Sequence, residues 1–274
     1  MDEVMKDKLQ QFKKRLENST APMDVYVRGK VEEMLARDET TLDILGIKHG
    51  TDKASLIDEK KGLHLGHEYL RHYEFFFSAF REREMSIVEF GCFRGQSLRL
   101  WKEYFPHAEI YGVDISKEAQ RYEENRIHVI IGDVTKQRTY EKLERALGNK
   151  SPDIIIDDAS HAWGDQRITL ELFWKMLAPG GLYVVEDLEC GSLGAYVDSP
   201  PEVQDSQPFF DYVRDLCGLL RWSPMRRTYV MRDHHFSQLP ERIKRIQITL
   251  DECCFVPGAV ILRKNPVRPP WEQR

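Results

Sequence analysis

"SIVEFGCFRGQSLRLWKEYFPHAEIYGVDI", residues 86–115, decides the fold. It opens with a short apolar, β-branched run and turns through Gly91 and Gly95. It takes helical spacing from Gln96 and closes on a second apolar run that ends in Asp114. The same rhythm continues. "RIHVIIGDV" (126–134), "DIIIDDA" (153–159) and "GLYVVED" (181–187) are further short strands ending in acids or glycine. Between successive strands lie "SKEAQRYEEN" (116–125), "TYEKLERALG" (139–148) and "DQRITLELFWKML" (165–177), each with helical periodicity. Strand alternating with helix predicts an α/β fold, a parallel sheet with helices on both faces. Strands with almost no internal polar residue agree, because such strands are covered on both sides. Ligands of these sheets bind beyond the carboxyl ends of the strands, so the acids and glycines should line one rim.

The chain has 274 residues, 41% hydrophobic and 31% charged, with a formal net charge of -5. That balance suits a globular protein and argues against a nucleic-acid partner, which calls for a basic face. No apolar run is long enough for a membrane span. The charged start lacks a signal-peptide centre, and the odd set of five cysteines has no framework spacing, so a cytoplasmic location is expected.

Two mostly polar helices are predicted ahead of the sheet, "MKDKLQQFKKRLEN" (5–18) and "PMDVYVRGKVEEMLA" (22–36). They would pack on the domain or on a second subunit, and a homo-oligomer is expected. The following stretch, 45–80, reads as a loop in its first half and an aromatic-rich helix in its second. We place an N-terminal helical lead-in with a cofactor-site loop at 1–60 and the main domain at 61–274. After Asp187, residues 188–208 have the composition of a long loop, the kind that covers or shapes a site. An amphipathic helix at 209–222 and two strands, "KRIQITL" (244–250) and "GAVILRK" (258–264), are expected to close the chain.

Three acids stand at successive strand ends. Glu89 and Asp114 are separated by 25 positions (114 − 89), the interval at which an acid accepts both hydroxyls of a ribose. Asp133 ends the third strand, where an acid meets an adenine amino group. Each could instead cap a helix, but three together favour an adenosine-bearing cofactor. The glycine turn itself breaks the dinucleotide fingerprint, with Phe93 where a second close glycine would stand. Asp157-Asp158 and Glu186-Asp187 then bring four carboxylates to neighbouring strand ends. Charges so placed require a cation or raise one another's pKa, and hard oxygen donors suit Mg²⁺ or Ca²⁺. A structural ion-pair cluster is the alternative. His161, three residues past Asp158, is a candidate general base. Trp163, Tyr69, Tyr73 and Tyr196 stand where they could wall a site. His234-His235, with no acids beside it, is read as solvated.

With these residues, the chain resembles the class I S-adenosylmethionine-dependent methyltransferases, whose fold is a Rossmann-like, mostly parallel seven-stranded sheet. More narrowly it is similar to the metal-dependent sugar O-methyltransferases of macrolide and related antibiotic pathways, over roughly residues 46–264. The likeness is carried by "HGTDK" (49–53), "HEYLRHY" (67–73), "VEFGCFRGQSLRLWKEYFP" (88–106), "IYGVDI", "IDDASH" and "VVEDLE". His49 departs from the tyrosine usual before "GTDK". The resemblance implies S-adenosylmethionine and Mg²⁺ as cofactors. The cofactor-binding set expected is Glu89, Gly91, Gly95, Ser97, Asp114, Asp133, Asp157, Tyr69 and Thr51. It further implies that Asp158, Glu186 and Asp187 hold the metal and that His161 and Asp158 are catalytic. The acceptor would be a small molecule, a glycosylated or diol-bearing natural product. Two other functions share the pattern: a methyltransferase-fold protein that catalyses a cyclisation or serves as a partner subunit, and a nicotinamide-dependent oxidoreductase.

Overall fold

The computed structural model describes residues 1–37, 41–59, 62–148, 150–190, 207–222 and 234–267. Contacts divide the chain into two compact units, Met1–Glu84 with Gly95–His107, and Met85–Arg94 with Ala108–Arg274. Residues 61–84 and 95–107 thus group with the N-terminal helices rather than with the sheet.

The second unit is built on seven strands: β3 (Met85–Phe90), β4 (Ala108–Asp114), β5 (Ile127–Ile131), β6 (Ile154–Asp157), β7 (Leu182–Val185), β8 (Leu250–Val256) and β9 (Ala259–Lys264). Their order is β5-β4-β3-β6-β7-β9-β8. The first five run parallel, and β9 joins β7 antiparallel, with β8 antiparallel outside it. Every residue of β3, β6 and β7 is buried, which accounts for their mostly apolar sequences, with Ser86, Glu89 and Asp157 as the buried polar exceptions. Helices α6 (Gln137–Leu147), α7 (Trp163–Phe173), α8 (Phe209–Leu216), the single turn α9 (His234–Ser237) and α10 (Glu241–Thr249) belong to this unit. A core that includes Val88, Phe90, Leu143, Ile155, Leu170 and Phe173 joins sheet and helices. The direction of strand addition reverses between β3 and β6, and at such a switch point the loops part to leave a crevice.

Two details of this unit differ from the sequence reading. "SKEAQRYEEN" forms a 3₁₀ segment, Lys117–Tyr122, capped by the Ser116 hydroxyl. "KRIQITL" is not a strand: residues 241–249 are helical, and the strand is Leu250–Val256. Ile243, Ile246 and Thr249 recur at three-residue intervals toward the core, and the Thr249 hydroxyl accepts from Trp174 Nε1 at 2.7 Å. Burial at that spacing outweighs the alternation of Ile246 and Ile248. Tyr196 and most of the long loop after Cys190 lie outside the described residues, as do the side chains of His234 and His235.

The first unit holds α1 (Glu3–Leu16), α2 (Pro22–Arg37), α3 (Leu42–His49), a hairpin of β1 (Leu56–Glu59) and β2 (Gly62–Leu65), α4 (Tyr69–Phe77) and α5 (Gln96–Tyr104). Asp2 caps α1 and Thr41 caps α3, each accepting a backbone N–H three residues on. Helix α3 and the hairpin stand where a loop was expected. Gly50 ends α3 in the left-handed region at φ 71°, the usual place for glycine after a helix. An aromatic core joins α4 to α5, with the Phe77 and Trp101 rings 5.8 Å apart and both side chains fully buried.

Candidate active site

The site in the sheet unit begins with Gly91, directly after β3. Its φ is 87°, and a Cβ added there would collide with the Asp158 carbonyl oxygen. Only glycine permits both the conformation and the approach. The Asp158 N–H in turn donates to Phe90 O at 3.0 Å. The loops after β3 and β6 are therefore in backbone contact at the switch point. Asp114 fastens the next loop: Oδ2 accepts from Cys92 N at 2.8 Å and Oδ1 from Ser116 N at 2.7 Å. Asp133 accepts from both the N–H (2.9 Å) and the hydroxyl (2.6 Å) of Thr135.

These loops enclose a cavity of about 380 Å³ whose walls include Gly91, Asp114, Ile115, Asp133, Thr135 and Ser160. That volume lies in the range that holds a small-molecule cofactor. The local turns aim side chains inward while the acids keep lone pairs to spare, since a carboxylate accepts about four hydrogen bonds. Glu89 is fully buried in β3, in register with Gly112 of β4 and Ile156 of β6. Ile115, Thr135 and Ser160 were not singled out in the sequence. Of these, the Ser160 hydroxyl donates to Asp165 Oδ2 at 2.7 Å and accepts from Ala162 N at 3.3 Å at the start of α7, bonds that only the fold reveals.

Across β6 and β7 the four carboxylates separate into different environments. Asp157 is buried at the strand end and takes a hydrogen bond from the Thr169 hydroxyl. Burial pushes its carboxyl up to about 7, against the pull of Thr169 and the Ala159 N–H. Glu186 is 1% exposed. Asp158, His161 and Asp187 converge instead: one ligand atom of each lies within 4.8 Å of the other two. His161 Nδ1 is 3.3 Å from Asp187 Oδ2 and 3.9 Å from Asp158 Oδ1. The two carboxylates could hold a divalent cation beside the imidazole, and oxygen donors favour Mg²⁺. The same loop serves both features, since Ala159 and Ser160 line the cavity between Asp158 and His161.

The remaining candidates lie in the helical unit. Thr51 is buried just after Gly50, with Oγ1 accepting from Lys53 N at 3.4 Å. The Gly50 carbonyl accepts from Gln96 Nε2 at 3.1 Å, tying this loop to the start of α5. Ser97 is buried in the first turn of that helix, which follows Gly95 at φ 68°. Tyr69 and Tyr73 are core residues at 2% and 0% exposure, stacked with centroids 6.1 Å apart.

Comparison with known proteins agrees with this architecture. Residues 88–183 match the model of a methyltransferase domain. The 8-demethyl-8-alpha-L-rhamnosyl tetracenomycin-C 2'-O-methyltransferase of Streptomyces olivaceus is 36% identical over 170 residues, covering 58% of this chain and 42% of the relative. The mycinamicin VI 2''-O-methyltransferase of Micromonospora griseorubida is 36% identical over 130 residues, covering 44% and 32%. The chain thus spans less than half the length of either relative. Among solved structures, the MycE methyltransferase of mycinamycin biosynthesis in complex with Mg and SAH superposes with a TM-score of 0.66 at 22% identity, over 88% of this chain and 59% of that one. This last likeness is one of fold. Residues 88–183 thus match a methyltransferase domain, the sheet has the Rossmann-like order of the MycE fold, and in sequence the chain is similar to sugar O-methyltransferases.

Proposed function

We propose that the chain transfers a methyl group from S-adenosylmethionine to a hydroxyl of a glycosylated or diol-bearing small molecule, with Mg²⁺ as a second cofactor. The observation that carries this reading is the convergence of Asp158, His161 and Asp187 on the loop that also walls the cofactor-sized cavity. The similarity to rhamnosyl and mycinamicin O-methyltransferases supports the substrate class. Asp158 and Asp187 would hold the metal; Glu186, expected from the sequence as a third ligand, is buried and lies outside the group that converges with them. Bound there, Mg²⁺ supplies Lewis acidity that eases loss of a hydroxyl proton.

The chain's own groups do the rest. Asp114 and Asp133 would meet the ribose and adenine of the cofactor in the cavity, whose wall includes Gly91. With Nδ1 turned toward Asp187, His161 presents Nε2 as the atom that takes the acceptor's hydroxyl proton. The acceptor oxygen then forms a bond to the methyl carbon. The carbon–sulfur bond breaks, and its electron pair returns to sulfur as S-adenosylhomocysteine. Holding oxygen, methyl and sulfur in line is the main contribution of such a site.

The test incubates the full chain with S-adenosylmethionine, Mg²⁺ and a panel of glycosylated macrolides, anthracyclines and catechols. Mass spectrometry should find a product heavier by one methylene, with equimolar S-adenosylhomocysteine, and EDTA should stop the reaction. Full activity in EDTA would remove the metal from the mechanism. Calorimetric binding of NADH in place of S-adenosylhomocysteine would replace the reading by an oxidoreductase.

A further inference from the structure

Two side chains at the start of α7 reach the turn that carries Asp187. Trp163 Nε1 donates to Leu188 O at 3.1 Å, and Gln166 Nε2 donates to Glu186 O at 2.9 Å. Their acceptors are the carbonyls on either side of Asp187. That residue holds φ at 56°, in the left-handed region, where a non-glycine side chain persists only if its surroundings fix it. The Leu188 N–H is also taken, donating to Gly258 O at 2.9 Å, and the Asp187 carbonyl accepts from Cys190 N at 3.0 Å. The backbone from Glu186 to Leu188 is thus held on both sides of the strained residue.

Gln166 carries the stronger argument. It is 2% exposed, and its Oε1 is buried with no hydrogen-bond partner among the described residues. An unsatisfied buried amide oxygen works against stability. Turning the amide over would set Oε1 against the Glu186 carbonyl oxygen, so the donor must face the turn. A methionine would fill the same space without a polar atom to satisfy. What the glutamine adds over methionine is its N–H on Glu186 O, and hence a fixed position for the turn.

We propose that Gln166 and Trp163 are positioning residues: they hold the Glu186–Leu188 turn so that the Asp187 carboxylate faces Asp158 and His161. This rests on the reading of Asp187 as a metal ligand. Groups that orient ligands in this way typically govern affinity for the ion by tenfold or more.

The experiment measures Mn²⁺ affinity by electron paramagnetic resonance in the full chain and its Gln166→Met, Trp163→Phe and Asp187→Asn variants. S-adenosylhomocysteine affinity and thermal midpoint are recorded for each. Gln166→Met should raise the Mn²⁺ Kd about tenfold while leaving S-adenosylhomocysteine affinity within about twofold. Trp163→Phe should weaken Mn²⁺ similarly, and it decides the matter if the methionine variant fails to fold. If both bind Mn²⁺ like the unaltered chain while Asp187→Asn loses it, the positioning role is overturned and the metal reading stands. A lowered midpoint without a change in Mn²⁺ affinity likewise reduces the two residues to structural ones. If Asp187→Asn binds Mn²⁺ as before, it is the metal reading itself that fails.

Discussion

His161 Nδ1 lies 3.3 Å from Asp187 Oδ2, and both residues occupy the left-handed region, at φ 58° and 56°. They come from the ends of different strands, β6 and β7, which pair directly in the sheet. Each left-handed non-glycine residue costs about 1–2 kcal/mol, so the meeting of two marks a place where surrounding contacts impose the geometry.

The strain and the proton transfer at His161 can be separated by choice of variant. Asparagine tolerates the left-handed region better than most residues but offers no group that titrates near neutral pH. His161→Asn should therefore keep its thermal midpoint within a few degrees and bind S-adenosylhomocysteine as before. Methyl transfer should fall about 10²–10⁴-fold, the usual contribution of a general base. Transfer at the original rate, read by mass spectrometry, would deny His161 that role.

Gly91 and Gly148 form a matched pair for testing the contact at the switch point. Both have positive φ, 87° and 64°, but a Cβ at Gly148 would meet nothing within 4 Å, whereas one at Gly91 would strike the Asp158 carbonyl. Gly148, at φ 64° and ψ -123°, lies outside the left-handed helical well, so Gly148→Ala should cost about 1–3 kcal/mol from backbone conformation alone. Gly91→Ala adds overpacking and should cost about 3 kcal/mol or more in chemical denaturation. Equal losses would show that the close approach of the two loops does not matter.

Much of this site was legible in the sequence because burial and charge left opposite marks on the same segments. Strands β3, β6 and β7 are wholly buried, so their apolar runs stand out, but of the acids at their ends only Asp158 and Asp187 are partly exposed, while Glu89, Asp157 and Glu186 are buried. The pairing of β6 with β7 followed from regular alternation of strand and helix. Helix α3 was passed over, although Thr41, Asp43, Lys48 and Gly50 mark its two ends, because the glycine and polar residues around "HGTDK" suggested a loop. The turn of 241–249 was misjudged because Ile246 and Ile248 alternate while its true period is set by core contacts far away in the chain. The Gln166 and Trp163 bonds join residues 20 and 25 positions apart. No local pattern announces them, since they depend on where α7 lies against β7.

Asp114 offers a test of the cavity. Its two oxygens receive the N–H groups of Cys92 and Ser116 and still face the space beside Ile115. In Asp114→Asn the new amide would oppose one of those N–H donors as well as remove charge. S-adenosylhomocysteine affinity should fall at least tenfold, the equivalent of about 1.4 kcal/mol, with no comparable change in Mn²⁺ binding. Equal affinity by calorimetry would place the ribose elsewhere.

Glu68 sets an acid limit on the helical unit. Its carboxylate accepts from Tyr26 Oη at 2.6 Å and pairs with Lys30 Nζ at 3.3 Å and Arg71 Nε at 3.0 Å. Burial alone would raise its pKa, but the Tyr26, Lys30 and Arg71 contacts outweigh burial and hold it below the ordinary 4.5. A carboxyl lowered on folding leaves the folded state with fewer bound protons than the unfolded chain, so stability falls as pH falls. The contribution is complete above 4.5 and is lost as pH drops through the lower, folded value. Glu68→Gln should therefore destabilise the unit by about 1–3 kcal/mol at pH 7, the worth of hydrogen bonds to a charged group. The difference from the unaltered chain should shrink as denaturation is repeated from pH 5 down to 3. A difference that stays constant over that interval would mean that shape, and not charge, is what Glu68 contributes.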